Sequence, residues 1–152
     1  MTLAYHRAMP EPVSAPTATA LPGDVLEFLR TPGRYAVVGT VDPDGRPRQV
    51  LVWYLLDGET VVLNSLVGRR WPTDLAREGW VSIVVSDGHD WVSVEGTLAV
   101  VEDQATAQAD IAGMARAYET PAEAAVSIAR FQGQRRVTFR IRAERTHAEI
   151  GE

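Results

Sequence analysis

The sequence predicts a mainly β (α+β) fold: a six-stranded antiparallel barrel with helices packed outside it. Three observations carry this expectation. Six segments are either continuously apolar or alternate apolar with polar residues, the two patterns of a pleated strand. Tight-turn signals join several of them, above all Asp42-Pro43-Asp44-Gly45 and Asp57-Gly58. The helical stretches are few, so most strand connections are hairpin-like rather than crossovers.

Each element can be justified in chain order. Residues 1–20 are rich in Pro, Ala and Thr and lack apolar periodicity, so they read as a disordered tail. They also lack the basic start and apolar centre of a secretory signal. The folded domain is expected over residues 21–152. Pro22 to Arg30 forms a short helix with Val25, Leu26, Phe28 and Leu29 inward, and Pro32-Gly33 stops it. Tyr35 to Val41 is the first strand, Arg46 to Leu56 the second and Glu59 to Leu66 the third, a consecutive meander. Gly68 to Pro72 turns into a short arginine-bearing helix that runs through Thr73 to Glu78 and ends at Gly79. Trp80 to Ser86 and Trp91 to Val101 are the fourth and fifth strands, with Gly96 as a bulge or close-approach point. Asp103 caps a helix to Tyr118 that turns Ile111, Met114 and Tyr118 inward. Thr120-Pro121-Ala122-Glu123 is a capping box for a last helix, with Ala122, Ala125, Val126 and Ala129 as its apolar stripe. Arg135 to Ile150 closes the chain as a strand, with Val137, Phe139 and Ile141 inward and Thr138, Arg140 and Arg142 outward.

Composition excludes several functions. At 152 residues one domain is expected, and no apolar run of ~18 residues offers a membrane span. The absence of cysteine removes disulfides and thiolate metal sites and fits a cytoplasmic protein. All 15 basic residues are arginine, which removes Schiff-base chemistry and a Walker A loop. The net charge of −5 argues against nucleic acid as the partner. His6, His89 and His147 have no spacing that suggests a metal site or a triad, and no catalytic acid, base or metal ligand is singled out.

The arginines are more informative. Arg46 and Arg48 open the second strand, and Arg69 and Arg70 follow the third, where a meander can bring them together. Guanidinium forks bind phosphate oxygens in pairs, and a helix beginning near Arg70 adds free N–H groups. Solvated hairpin arginines are the competing reading. The second strand is apolar on both faces, so a helix layer or a second chain is expected to cover what the barrel core does not. Trp71, between arginines and Pro72, is hard to bury and suits a ligand or an interface.

At these residues the chain resembles a known family. Val38-Gly39-Thr40-Val41-Asp42-Pro43-Asp44-Gly45-Arg46-Pro47-Arg48, Val50-Leu51-Val52-Trp53-Tyr54 and Leu63-Asn64-Ser65-Leu66-Val67-Gly68-Arg69-Arg70 resemble the pyridoxamine 5'-phosphate oxidase-like flavin split barrels, and within them the branch using the deazaflavin coenzyme F-420. Trp91-Val92-Ser93-Val94-Glu95-Gly96 and Glu144-Arg145-Thr146-His147 are similar to later strands of that family, so the likeness covers about residues 22 to 150. The resemblance implies a six-stranded split barrel and a homodimer holding coenzyme F-420 or FMN at its interface. It implies hydride transfer between that cofactor and a small organic substrate. Carried over by position, Arg48, Val50, Leu51 and Val52 run beside the cofactor, and Asn64 and Ser65 lie near its ring or ribityl chain. Arg69 and Arg70 lie near its phosphate, Trp71 holds the position of the family's Lys, and Trp91 contributes from a later strand. Asp74 holds the position of the family's Asn and would repel a phosphate if close. Two other classes stay open: a binding protein that sequesters a flavin-type cofactor, haem or similar planar ligand without turnover, and a structural dimer with an empty groove.

Overall fold

A computed structural model describes residues 20–151; the expected tail, apart from Ala20, lies outside the described residues. The elements are α1 (Gly23–Arg30), β1 (Ala36–Val41), β2 (Pro47–Val52), β3 (Leu55–Asp57), β4 (Thr60–Leu66), α2 (Arg70–Glu78), β5 (Trp80–Asp87), β6 (Asp90–Val101), α3 (Gln104–Tyr118), α4 (Pro121–Gln132) and β7 (Arg136–Glu149). The strands form one antiparallel sheet in the order β2-β1-β5-β6-β7-β4-β3.

The mainly β, helix-flanked antiparallel class is as expected, but the strands described number seven rather than six. The expected second strand, Arg46 to Leu56, is two strands. β2 pairs with β1, whereas β3 pairs with β4 at the far edge of the sheet. The predicted three-strand meander is therefore two separate hairpins. The chain crosses from one sheet edge to the other at Trp53-Tyr54, and side chains there replace ladder hydrogen bonds. The Tyr54 N–H donates to Tyr118 Oη at 3.2 Å, and Tyr118 Oη donates to the Arg34 carbonyl at 2.6 Å. Tyr54 Oη donates to the Leu29 carbonyl at 2.7 Å, and Trp53 stacks on Tyr118 with centroids 5.3 Å apart. Buried backbone groups require such partners wherever a ladder stops.

Two apolar clusters flank β4. Val61 and Leu63 join Val38, Val81, Ile83, Val94 and Phe139 in the barrel interior, where α1 also buries Val25, Leu26, Phe28 and Leu29. Val62 joins Ile111, Met114, Ala115, Ala124 and Phe131 beneath α3 and α4. The strand covered on both faces is thus β4, while β2 stays half-exposed and Leu51 is 64% exposed.

Helix α4 buries Ala124, Ser127 and Phe131, not the expected stripe of Ala122, Ala125, Val126 and Ala129. One aromatic outweighs a row of alanines in apolar area, so Phe131 sets the phase. Its capping box is complete, with Thr120 and Glu123 each bonded to the other's backbone. Thr138, expected to face out, is fully buried because α3 covers that face of β7; its hydroxyl donates to Asp110 at 2.7 Å. Helix α2 starts at Arg70, three residues before Thr73, and Gly79 closes it in the left-handed conformation. At Gly96 the β6–β7 register slips, and an added Cβ would lie 1.8 Å from the Arg142 carbonyl oxygen. No helix among the described residues is long and apolar enough to cross a membrane.

Candidate functional site

The open edge of β2, the start of α2 and the end of α4 surround a cavity of about 520 Å³. Val50, Leu51, Val52, Asn64, Ser65, Arg69 and Trp71, singled out from the sequence, all line it. Trp53, Phe131, Arg130, Gln134 and Arg136 line it too, together with Tyr35, Ile111 and Met114. A second hollow of about 560 Å³ adjoins it, lined by Thr40, Arg48, Gln49, Gly68 and Arg70 and sharing Val50, Arg69 and Trp71 with the first. Trp71 packs against Phe139, with centroids 6.1 Å apart, and stands between the two spaces.

The turn before β2 positions Arg48. The Asp42 carboxylate accepts from the N–H groups of Asp44 and Arg46, each at 2.9 Å, and from Arg48 Nε at 3.4 Å. The Arg46 N–H, with further help from Asp44 and Arg48, holds the Asp42 carboxyl below its usual range despite desolvation. Arg69 occupies the cap position of α2, and no side chain caps that end. The Arg70 and Trp71 N–H groups there remain available to an anion, Pro72 having none.

Asp74 does not reach either space. It is buried and its carboxylate accepts from Arg77 Nη1 at 2.8 Å, so its charge is already matched. Trp91 is also apart from the site: it opens β6 opposite Ser86 and Glu149, and its indole donates to Glu149 at 3.2 Å.

Sequence reasoning missed the other wall. Arg136 is 4% exposed; its Nε donates to Asn64 Oδ1 at 3.0 Å and its Nη1 to Gln134 Oε1 at 2.9 Å. Asn64 is held in turn by donating to the Ala107 carbonyl at 2.9 Å and to Thr138 Oγ1 at 3.0 Å. The Phe131 ring lies 4.9 Å from the Arg136 guanidinium and 5.3 Å from that of Arg130. Burial, and then the charges of Arg69 and Arg130, pull the Arg136 guanidinium down to about 10. One signal was present in the sequence: Arg135-Arg136 repeats the Arg69-Arg70 pair. The pairing of Leu66 with Arg136 between β4 and β7 then sets the two arginine pairs side by side.

Charge and hydrogen-bond accounting identify what fits. Ion pairs among the described residues engage Arg34, Arg48, Arg77 and Arg140, and none engages Arg69, Arg70, Arg130 or Arg136. Among the described residues no carboxylate lines either space. Ser65 Oγ and Thr40 Oγ1 are buried without a partner, one in the wall of each space. Buried hydroxyls and cations are rarely left unanswered, so the donor set fits an anionic ligand with an apolar, planar portion against Val50, Val52 and Trp71.

Comparison with known proteins agrees with this fold. A conserved hypothetical protein of Mycobacterium tuberculosis superimposes with a TM-score of 0.67 at 21% identity, over 90% of this chain and 89% of that one. An F-420 reductase superimposes with a TM-score of 0.63 at 23% identity, over 80% and 94%. HutZ, the haem storage protein of Vibrio cholerae, does so with a TM-score of 0.62 at 18% identity, over 82% and 92%. At such identities the likeness is one of fold. No curated protein matches the sequence. The family described as pyridoxamine 5'-phosphate oxidase matches residues 21–148, most of the chain. The chain therefore belongs to the pyridoxamine 5'-phosphate oxidase family.

Proposed function

We propose that the chain is an oxidoreductase that binds a phosphorylated flavin-type cofactor, coenzyme F-420 or FMN, between the β2 edge and Trp71. One observation carries this reading: Arg69 and Arg70, in no ion pair among the described residues, converge with Arg48, which Asp42 holds, on adjoining spaces otherwise walled by aliphatic and aromatic side chains. Arg70, Arg69 and Arg48, with the N-terminus of α2, would hold the cofactor's phosphate. Val50, Leu51, Val52 and Trp71 would flank the ring, with Ser65 Oγ as the nearest free hydroxyl. When bound, the ring supplies the hydride chemistry; the residues here supply orientation, positive potential and exclusion of water.

A second copy of the chain completes the proposal. The β2 edge is open and Leu51 is 64% exposed beside the cavity. A two-fold dimer over this edge would cover Leu51 and close the cavity, and a role for Trp91 would come from the second protomer. The substrate is a small organic molecule, and a cytoplasmic location is the setting consistent with a cysteine-free chain.

Trp71, at the position of the family's Lys, favours a second reading, in which a planar ligand is held without turnover. Haem fits less well than a flavin-type ring: His89 and His147 are exposed and line neither space. The absorption spectrum of the purified protein tests both. A flavin or deazaflavin band, bleached on reduction and restored by an acceptor, supports the proposal. A Soret band would replace it with the haem reading. No band, with no uptake of FMN or F-420 on titration, would reject both.

A further inference from the structure

Helix α3 runs beside the cavity from its arginines to an end without charge. Gln104, the first residue of the helix, accepts from the Arg136 N–H at 2.9 Å, and the Ala107 carbonyl holds Asn64. Ile111 and Met114 line the cavity further along. Tyr118 is the last residue of the helix, about 21 Å from Gln104 at the rise of an α-helix. Tyr118 does not line the cavity, but the two rings it meets, Tyr35 and Trp53, both do.

The β1–β2 ladder stops at Ala36 opposite Val52, and Tyr35 and Trp53 are the next residues on each side. Tyr118 stands where the next rung would be. Its ring stacks on Trp53, 10° from parallel with centroids 5.3 Å apart, and tilts against Tyr35 at 5.4 Å. Its hydroxyl holds the backbone beside each ring. It donates to the Arg34 carbonyl at 2.6 Å, accepts from the Tyr54 N–H at 3.2 Å and lies 3.1 Å from the Tyr54 carbonyl. One side chain therefore grips each segment twice, by a ring and by the main chain. Tyr35 is 46% exposed and Trp53 is half-buried, so burial alone fixes neither ring.

We infer that Tyr118 is a positioning residue for the candidate site: it sets the plane of Trp53 and the place of Tyr35, and through them the shape of the uncharged end of the cavity. A bound molecule would meet Trp53 and Tyr35, and Tyr118 acts from behind them. A fixed aromatic wall suits a planar, uncharged part of that molecule, because the rings lose little freedom when it arrives. What the bound molecule is rests on the cofactor reading; the clamp rests on these contacts alone.

Fluorine NMR of the full chain labelled with 5-fluorotryptophan tests this. Trp53 is one of four tryptophans, and its resonance is the one missing from Trp53→Phe. Tyr118→Phe keeps the ring and removes the hydroxyl. Its Trp53 resonance should shift or broaden while those of Trp80 and Trp91 stay in place. Its Kd for FMN or F-420, measured well below the melting temperature, should rise about fivefold, the scale of one neutral hydrogen bond. Tyr54→Phe is the control. It loses a buried hydroxyl bond, to the Leu29 carbonyl at 2.7 Å, and Tyr54 does not line the cavity. It should lower the melting temperature but leave the Trp53 resonance and the Kd unchanged. An unmoved Trp53 resonance in Tyr118→Phe, or equal changes in Tyr54→Phe, would overturn the positioning role. If neither cofactor binds the wild type, the cofactor reading falls by itself, and the Trp53 resonance alone decides the clamp. If Tyr118→Phe does not fold, the wild type decides: saturation with cofactor must move the Trp53 resonance, and one that stays put would overturn the inference.

Discussion

Asn64→Leu should be among the most damaging single changes in the protein, and the structure gives its size. Asn64 is 6% exposed and makes three hydrogen bonds. Its amide donates to the Ala107 carbonyl and to Thr138 Oγ1, tying β4 to α3 and β7. Its carbonyl accepts from the Arg136 guanidinium, a charge-assisted bond. Leucine matches the shape but returns none of these, and the partners stay buried. Neutral bonds contribute about 0.5–1.5 kcal/mol each and a charged one about 1.5–3, so the loss should be about 3–5 kcal/mol. For a domain of this size that lowers the melting temperature by roughly 10 °C or more. Urea unfolding followed by far-ultraviolet circular dichroism gives the free energy directly, provided the slope with denaturant is unchanged. A loss below about 1 kcal/mol would refute the claim that Asn64 holds Arg136 in place.

Gly96→Ala should cost about 3 kcal/mol or more, because its Cβ would collide with the Arg142 backbone 1.8 Å away; a near-neutral urea midpoint would show that the close approach is not real. Alkali should unfold the protein. Burial holds the Tyr54 phenol far above its ordinary value of 10.0 and raises Tyr118 as well, so their contribution is complete below pH 10 and is lost as pH climbs beyond it. Arg136 works in the opposite sense over the same range and offsets part of that loss. Melting temperatures across that range should fall together with the rise in tyrosinate absorbance; full ionisation of the four tyrosines in a still-folded protein would contradict this. Sedimentation velocity at micromolar concentration should give the dimer proposed over the open β2 edge, and a monomer would remove the interface from the proposal.

Local chemistry made most of the fold legible in the sequence. The Asp42–Gly45 turn, the Thr120 capping box, the Gly79 stop and the Gly96 close approach each depend on a few neighbouring residues, and each formed where expected. What depends on distant partners was not legible. The break at Trp53-Tyr54 rests on Tyr118, 64 residues away, whose hydroxyl takes the bond a strand would have made. Thr138 and Arg136 alternate outward from Phe139, as strand periodicity says, but α3 and α4 turn that outward face into an interior. For the same reason half of the site was found. Val50 to Val52, Asn64, Ser65, Arg69 and Trp71 lie on segments with a recognisable pattern and meet in one cavity, with Arg48 and Arg70 in the hollow beside it. Arg130 and Arg136 come from elements whose site-facing side only the packing reveals.

Equilibrium titration of FMN and of F-420 into wild type, Arg70→Ala and Trp71→Lys tests the central claim most directly. Arg70 is exposed and makes no ion pair among the described residues, so its removal should leave folding intact. The account predicts that Arg70→Ala weakens the preferred cofactor by about 1.5–3 kcal/mol, tenfold or more in Kd. Trp71→Lys should tighten it by adding a point charge at the mouth of the phosphate hollow. Opposite signs identify a phosphate site. Affinities for both cofactors that stay within about twofold of wild type in both variants would contradict the account.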